Sequence, residues 1–206
     1  MDPLNDLYAA LTRGRNVEPW LSEHAPDGDL RAAWEASTQP VVMLHLVAPL
    51  LSAEALVLAT AACVRILIGP ELVTLGHVAT AITVAEGWAR GAATKDELDR
   101  AVDHAMQAMD AADLTAASAK HDPEARKRKI RESDLAYACA SVAHLAWMCA
   151  DGRRDFASLE EDLRKVTDHV VSWNHYDAEQ AKALRAHLPL PTLAQLRASY
   201  GPRSSH

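Results

Sequence analysis

The sequence predicts an all-α fold, a single-domain antiparallel bundle or stack of about nine or ten helices. Hydrophobic residues make up 49% of the 206 residues, and alanine, the best helix former, supplies much of this fraction. The 8 glycines and 10 prolines are few for a chain of many strands and tight turns. Apolar residues recur at helical spacing. We expect one domain over residues 1–206, with short helices and a loop in 1–36 and a flexible tail at 200–206.

The N-terminal part is expected to contain short helices and one long loop. An apolar face at helical spacing predicts the first helix, from Pro3 to Arg13. Residues 13–30 are predicted to form a loop-rich connection, which Trp20 anchors to the body. A short helix is predicted from Leu30 to Ala36, and Pro40 suits the first position of the next one.

The middle of the chain is expected to hold the central buried helix. Ser52 is a favourable N-cap for the run AEALVLATAACVRILI, which is apolar nearly all round and is followed by Gly69. The next helix is predicted from about Glu71 to Arg90, and Gly91 suits the left-handed residue that closes many helices. Gly87 lacks a side chain, so a neighbouring helix is expected to approach closely there.

Capping signals place the later helices. Thr94 and Glu97 have the spacing of a capping box, and they open a helix with one apolar and one acidic face. Asp122 caps a long helix that is expected to end at Asp151. A further helix is predicted with an apolar stripe from Leu159 to Trp173. Two more are predicted, one from Asp177 to His187 and one near Leu193 to Ser199 with Thr192 as its cap.

Charge and cysteine content narrow the possible partners and compartment. The formal net charge of -7 disfavours general binding to nucleic acid or to an anionic membrane. No apolar run is long enough for a membrane span, and the first residues do not resemble a signal peptide. Three cysteines in apolar helical context indicate buried thiols rather than a disulfide framework. These features predict a cytoplasmic protein that binds neither nucleic acid nor membrane.

Familiar catalytic and metal-binding patterns are missing from the sequence. No two of the 10 histidines have the i, i+3 or i, i+4 spacing of a metal-binding helix, and there is no nucleophile elbow or Gly-rich phosphate loop. The sequence therefore predicts a protein that is not an enzyme, with no catalytic residue, cofactor or metal. A solvated helix face is the preferred interpretation of Asp99, Asp103, Asp110 and Asp113. The alternative is a small metal-dependent all-α enzyme that uses Asp99, Asp103 and scattered histidines.

Two segments are candidate partner-binding surfaces. Five basic residues occur within about two turns and surround the predicted helix, so that end is expected to stand clear of the core. This cluster is either a solvated corner or a contact for an acidic partner. Aromatic and histidine side chains gather at the end of a later helix. This arrangement occurs both in protein interfaces and where side chains anchor a loop to the core. The two sets are Arg126, Lys127, Arg128, Lys129 and Arg131, and Trp173, His175 and Tyr176.

The stretch from Leu56 to Cys149 combines an apolar helix with Ala and Cys, an Ala-Ile helix that ends in WARG, and a Thr-x-x-Glu helix start. Ala-rich helices with a His-Ala step follow. These features lie at Cys63, Ile82, Trp88, Gly91, Thr94, Glu97, His104 and Ala105. In these features the stretch resembles a predicted family of immunity proteins, the antidotes of bacterial polymorphic toxin systems.

The resemblance implies a cytoplasmic all-α protein that binds a cognate protein toxin and blocks its active site or another needed surface. Such a protein requires no catalytic residue. Trp88, Gly91, Thr94 and Glu97 are expected to be structural, since they suit a helix stop and a helix start. The acidic net charge would suit a toxin that is a basic nuclease, through electrostatic steering. An α-helical scaffold or regulatory interaction module is the alternative, and the oligomeric state stays open.

Overall fold

The computed structural model describes residues 2–69, 76–119, 121–152 and 176–200. These residues form ten α-helices and one 3-10 turn, and they contain no β-strand. The all-α prediction is confirmed. The helices are α1 (Pro3–Thr12), α2 (Glu18–His24), α3 (Arg31–Ala36), α4 (Pro40–Val47), α5 (Ala53–Ile68), α6 (Gly76–Ala89), α7 (Lys95–Ser118), α8 (Pro123–Ala150), α9 (Asp177–His187) and α10 (Leu193–Tyr200); the 3-10 turn is Ala48–Leu50.

Helix α2 corrects the sequence prediction, which treated residues 13–30 as loop-rich. A seven-residue helix is too short to be stable by propensity alone, so the sequence pattern gave little sign of it. Tertiary contacts supply the stability, because Trp20 and Leu21 are buried. The indole Nε1 of Trp20 donates to the backbone oxygen of Pro3 at 2.7 Å. The predicted role of Trp20 as the anchor of this segment is confirmed.

Polar contacts tie α1 and α9 to the connection between α3 and α4. The Asp2 carboxylate caps α1 by accepting from the Leu4 N–H at 3.0 Å, and it also accepts from the hydroxyl of Ser37 at 2.9 Å. Arg185 of α9 donates to the backbone oxygens of Trp34 and Ser37 at 3.2 and 2.9 Å. Helices α1 and α9 are thereby fixed to one connection, in which Ser37 is fully buried.

Helix α5 is the central buried helix, as predicted. Its N-cap Ser52 accepts from the Ala55 N–H at 3.2 Å, and α5 packs against α6, α8 and α9. Gln180 of α9 is buried and donates to the backbone oxygen of Cys63 at 3.2 Å. This bond satisfies a polar group that would otherwise be costly to bury in the core.

An ion pair joins α5 to α6. Arg65 Nε donates to Glu86 Oε1 at 2.7 Å and its Nη2 donates to Oε2 at 2.8 Å, while Nη2 also contacts the Thr83 hydroxyl at 3.1 Å. Burial alone would raise the pKa of Glu86, but the hydrogen bonds and positive charge of Arg65 outweigh it and hold this pKa below its ordinary value. Hydrogen bonding to Glu86 raises the pKa of Arg65.

The corner between α6 and α7 has the predicted stop and start signals. Gly91 has a φ of 73°, and its N–H donates to the Trp88 oxygen at 2.8 Å. The Ala92 N–H donates to the Gly87 oxygen at 2.7 Å, which completes a Schellman motif. A Cβ on Gly87 would lie 3.3 Å from the Cβ of Ala93. The close approach at Gly87 therefore comes from the turn itself and not, as predicted, from a neighbouring helix.

Helices α7 and α8 form a long hairpin. Asp122 caps α8 by accepting from the Ala125 N–H at 3.0 Å, and Gly152 follows the helix with a φ of 72°. At about 1.5 Å per residue, α7 is about 36 Å long and α8 about 42 Å, against about 21 Å for α6. The hairpin is therefore longer than the helix α6 that packs on both of its arms.

The last helix is confirmed. Thr192 and Gln195 form a reciprocal cap at the start of α10, and the Tyr200 hydroxyl donates to the backbone oxygen of His45 at 2.5 Å. The predicted helix with the stripe Leu159–Trp173 lies outside the described residues, as does the predicted start of α6 at Glu71. The flexible tail was predicted to begin at residue 200, but Tyr200 is the last residue of α10; residues 201–206 lie outside the described residues. No helix in the described part of the chain is long and apolar enough to cross a membrane.

Candidate partner-binding surface

The far end of the α7–α8 hairpin, residues 110–119 and 121–134, lies outside the main core; we call it the hairpin tip. The main core takes Leu98, Ala101 and Ala105 from α7, and its residues on α8 begin at Leu135. Within the tip, Ala112 and Ala116 are buried but do not belong to that core. Small alanine side chains allow the two helices of the hairpin to approach closely.

Two large apolar side chains are exposed in the described part of the chain, and both lie in the hairpin tip. Leu114 is 71% exposed and Ile130 is 43% exposed. Large exposed apolar residues next to charged ones are typical of protein-binding surfaces. Sequence reasoning missed both of them as site residues.

A signal for Leu114 was present in the sequence. On a helical wheel Leu114 falls on the outward face of α7, in line with Asp103 and Asp110. A solvated helix face normally carries polar residues, so a large apolar residue in line with these aspartates is unexpected there. The sequence does not mark Ile130 in the same way, because the basic residues near it are distributed all around α8 and define no single polar face.

The basic cluster begins α8 and differs in exposure from residue to residue. Arg126, Lys127 and Arg128 are exposed, whereas Lys129 and Arg131 are half-buried. The expectation that this end stands clear of the core holds for the main core, since no residue of 123–134 belongs to it. The basic residues are not all solvated, however, because α8 packs against α7 and one side of it is covered.

Neighbouring carboxylates satisfy part of this cluster. Lys127 Nζ lies 2.9 Å from Glu124 Oε1, and Lys129 Nζ lies 2.5 Å from Glu132 Oε2. Arg126 and Arg128 form neither an ion pair nor a side-chain hydrogen bond with any described residue. Their guanidinium groups are therefore cations at the tip that no described carboxylate neutralises.

The second predicted surface is only partly described. Trp173 and His175 lie outside the described residues. Tyr176 is half-buried and packs against the main core just before α9. Its backbone oxygen accepts from the Gln180 N–H at 2.9 Å, which gives Tyr176 a structural place at the start of α9.

The acidic face of α7 is solvated, as preferred from the sequence. Asp99, Asp103, Asp110 and Asp113 are all exposed. In the described ranges no three His, Cys, Asp or Glu side chains are grouped so as to hold a metal ion. The three cysteines are buried, and burial raises the pKa of Cys63 and of Cys139 to about 12. These two thiols are therefore protonated and unreactive near neutral pH.

The opposite end of the hairpin, where α7 begins and α8 ends, is held by side-chain contacts; we call it the hairpin base. The Glu97 carboxylate accepts from the Thr94 N–H at 2.7 Å and the Glu97 N–H donates to the Thr94 hydroxyl, which confirms the capping box. Hydrogen bonding to Thr94 lowers the pKa of Glu97. Lys95 forms an ion pair with Asp151, and its Nζ lies 4.8 Å from the Trp147 ring centroid.

Trp88 also lies at this end of the molecule, in the last turn of α6. It is half-buried and packs against the main core, as expected for a structural residue. His144 stacks on Trp147 with ring centroids 5.7 Å apart. The hairpin base thus combines aromatic packing with bonded charges.

No protein-family description, functionally characterised protein or solved structure matches this chain.

Proposed function

We propose that this chain is a cytoplasmic, non-catalytic immunity protein that binds a bacterial protein toxin and neutralises it by covering a surface the toxin needs. The observation that carries the proposal is the hairpin tip, where Leu114 and Ile130 are exposed and Arg126 and Arg128 are exposed and unpaired. Arginine is among the residues that contribute most binding energy at protein interfaces, and the exposed apolar side chains add area that a partner can bury.

The hairpin supplies the rigidity that such a binder needs. Helices α7 and α8 pack along each other, and caps and the Lys95–Asp151 pair fix the base of the hairpin. A preorganised surface loses less conformational entropy on binding than a flexible loop does. The tip can therefore present its exposed side chains with little reorganisation.

Net charge supports capture of the toxin at long range. The chain carries a formal charge of -7, so a toxin of opposite net charge, such as a basic nuclease, would be steered towards it. Steering raises the association rate, and it weakens as salt screens the charges. An association rate that does not change with ionic strength would contradict this part of the proposal.

Toxin rescue is the decisive experiment. The reading frame next to the one for this chain is expressed alone and together with this chain. We expect expression alone to kill the cells, and co-expression to restore growth through a complex that survives size-exclusion chromatography. A chain that carries Leu98→Asp in the core is the control for folding, and it should not rescue. The proposal fails if the folded chain neither rescues nor binds.

An α-helical scaffold or regulatory module would use the same hairpin tip without any toxin. The exposed Leu114 and Ile130 support binding in both cases. The scaffold is favoured if no neighbouring reading frame is toxic and if pull-down with the chain yields a stable complex that disappears on Leu114→Ser.

A further inference from the structure

Building on the proposed function, we propose that the first two turns of α8 contact an acidic surface of the partner protein. The site consists of Arg126, Lys127 and Ile130 on one face of α8, with Arg128 on the opposite flank of the same turns; we call it the cationic patch. It deepens the proposed function by naming the chemistry of the contact: carboxylates on the partner, bound by guanidinium groups, with one apolar side chain next to Arg126.

The position of the patch is unfavourable for folding. The N-terminal end of a helix carries a partial positive charge, so cations in the first turns are repelled by the helix dipole. Acidic residues in the first turn of α7, Asp96 and Glu97, have the opposite and favourable placement. The acidic charges there are thus explained by stability, whereas Arg126 and Arg128 of α8 are not.

Pairing within α8 leaves the two arginines available. Lys127 is bonded to Glu124, but both side chains are highly exposed and the pair is weak. Arg126 and Arg128 have no ion-pair partner among the described residues. Arginine presents a planar fork of donors that matches a carboxylate with two parallel hydrogen bonds. Two unpaired forks therefore favour carboxylates as the ligand.

Ile130 gives the patch an apolar anchor. It is 43% exposed and follows Arg126 by four residues and Lys127 by three, so these three side chains lie on the same face of α8. Protein interfaces combine a desolvated apolar centre with arginine, and surrounding contacts exclude water from it. A site for inorganic anions would gain nothing from Ile130, whereas a protein surface would cover it.

The charges around the patch favour a protein over nucleic acid or a membrane. Asp110 and Asp113 are exposed on α7, the other arm of the same hairpin, and the whole chain has a formal charge of -7. A phosphate backbone or an anionic bilayer extends well beyond three basic residues and would meet these carboxylates. A folded protein, including one of positive net charge, can place a local group of carboxylates only where the arginines are.

The first test uses the full chain and defined probes. A short fluorescein-labelled peptide rich in Glu and Leu is titrated with the protein, and its anisotropy gives Kd. We expect Arg126→Glu with Arg128→Glu to raise Kd about tenfold or more, through loss of two charge-assisted contacts. Arg13→Glu with Arg15→Glu is the matched control, because both arginines are exposed and the change in net charge is identical. The control should leave Kd within about twofold.

The same titration can also give results that would contradict the proposal. Equal weakening by the two double variants would show an effect of net charge alone. Tighter binding to a DNA duplex or to phosphatidylserine vesicles than to the acidic peptide would assign the patch to another class of partner. Ile130→Ala should raise Kd about threefold. An unchanged Kd for Ile130→Ala would remove the apolar anchor from the proposal.

The toxin rescue assay separates this inference from the proposed function. If the unmodified chain does not rescue, the immunity function fails while the peptide titration still tests the patch. If the unmodified chain and the Arg13/Arg15 control rescue, Arg126→Glu with Arg128→Glu should not. Full rescue by that variant would overturn the patch as the toxin contact and leave the immunity function standing.

Discussion

At the base of the α7–α8 hairpin the polar side chains bond to one another, whereas at the tip two arginines are left unpaired. Thr94 and Glu97 bond reciprocally at the base, and Lys95 pairs with Asp151. At the tip Arg126 and Arg128 have no ion-pair partner among the described residues, and Leu114 is exposed. One hairpin thus pairs the charges of Lys95 and Asp151 at its base and leaves two arginines unpaired at its tip.

The strongest test of this difference compares two leucines on one helix. Leu98 at the base is fully buried, and Leu114 at the tip is 71% exposed. We expect Leu98→Ala to lower the free energy of unfolding by about 2–5 kcal/mol, because it leaves a cavity in the main core. Leu114→Ala should change it by less than about 0.5 kcal/mol. Urea denaturation followed by circular dichroism measures both, and similar losses would show that the tip is part of the cooperative core.

Trp88 tests the packing at the base with a smaller expected effect. Because its side chain is half-buried, Trp88→Ala should lower the free energy of unfolding by about 2 kcal/mol, below the range for a fully buried tryptophan. Trp88→Phe, which retains much of the apolar area, is the control and should lose less. An unchanged melting temperature for Trp88→Ala would make Trp88 a candidate for the interface instead.

The Arg65–Glu86 pair near the base predicts a dependence on pH. Because the folded-state pKa of Glu86 lies below its ordinary value of 4.5, the ionised carboxylate stabilises the fold fully above that pH, and this contribution is lost as pH falls through the folded-state pKa. Glu86→Gln should lower the free energy of unfolding at neutral pH by about 1–2 kcal/mol. Denaturation at a series of pH values should show the difference from the unmodified chain shrinking below pH 4.5. If the difference in free energy of unfolding between the two chains did not change with pH, ionised Glu86 would be excluded as its source.

The capping box at the base should contribute less. Thr94→Ala removes the hydroxyl that accepts from the Glu97 N–H, and we expect a loss of about 1 kcal/mol. Thr94→Ser keeps an oxygen at the same place and should retain most of the stability. Chemical denaturation measures the free energy of unfolding of both variants. If Thr94→Ala and Thr94→Ser lost equal stability, the threonine methyl group rather than the capping hydroxyl would be responsible.

The smallest effect on stability is expected at the tip, and its sign is opposite. Arg126→Glu with Arg128→Glu removes cations from the start of α8, so the free energy of unfolding should rise by a few tenths of a kcal/mol at low ionic strength. The same variant is expected to lose binding to the acidic peptide. A destabilised variant would show that these arginines serve the fold, and the contrast between base and tip would then disappear.

Local signals account for most of what could be predicted. Ser52, Thr94, Asp122 and Thr192 cap the helices that the sequence assigned to them, because a cap depends on residues within three positions. Helix α2 was missed because its stability comes from contacts distant in sequence, above all Trp20 with Pro3. The predicted resemblance to immunity proteins and the toxin partner stay predictions, to be decided by rescue.

The sequence by itself determined the helical class, the capping and the core stripes, since these follow from spacing along one helix. Only the tertiary structure decided which of five basic residues are exposed and unpaired. That outcome depends on how α7 packs against α8 and on whether a carboxylate such as Glu124 or Glu132 lies within reach. The same packing made Leu98 a core residue and left Leu114 on the surface, because a helix buries only the face that meets a neighbour.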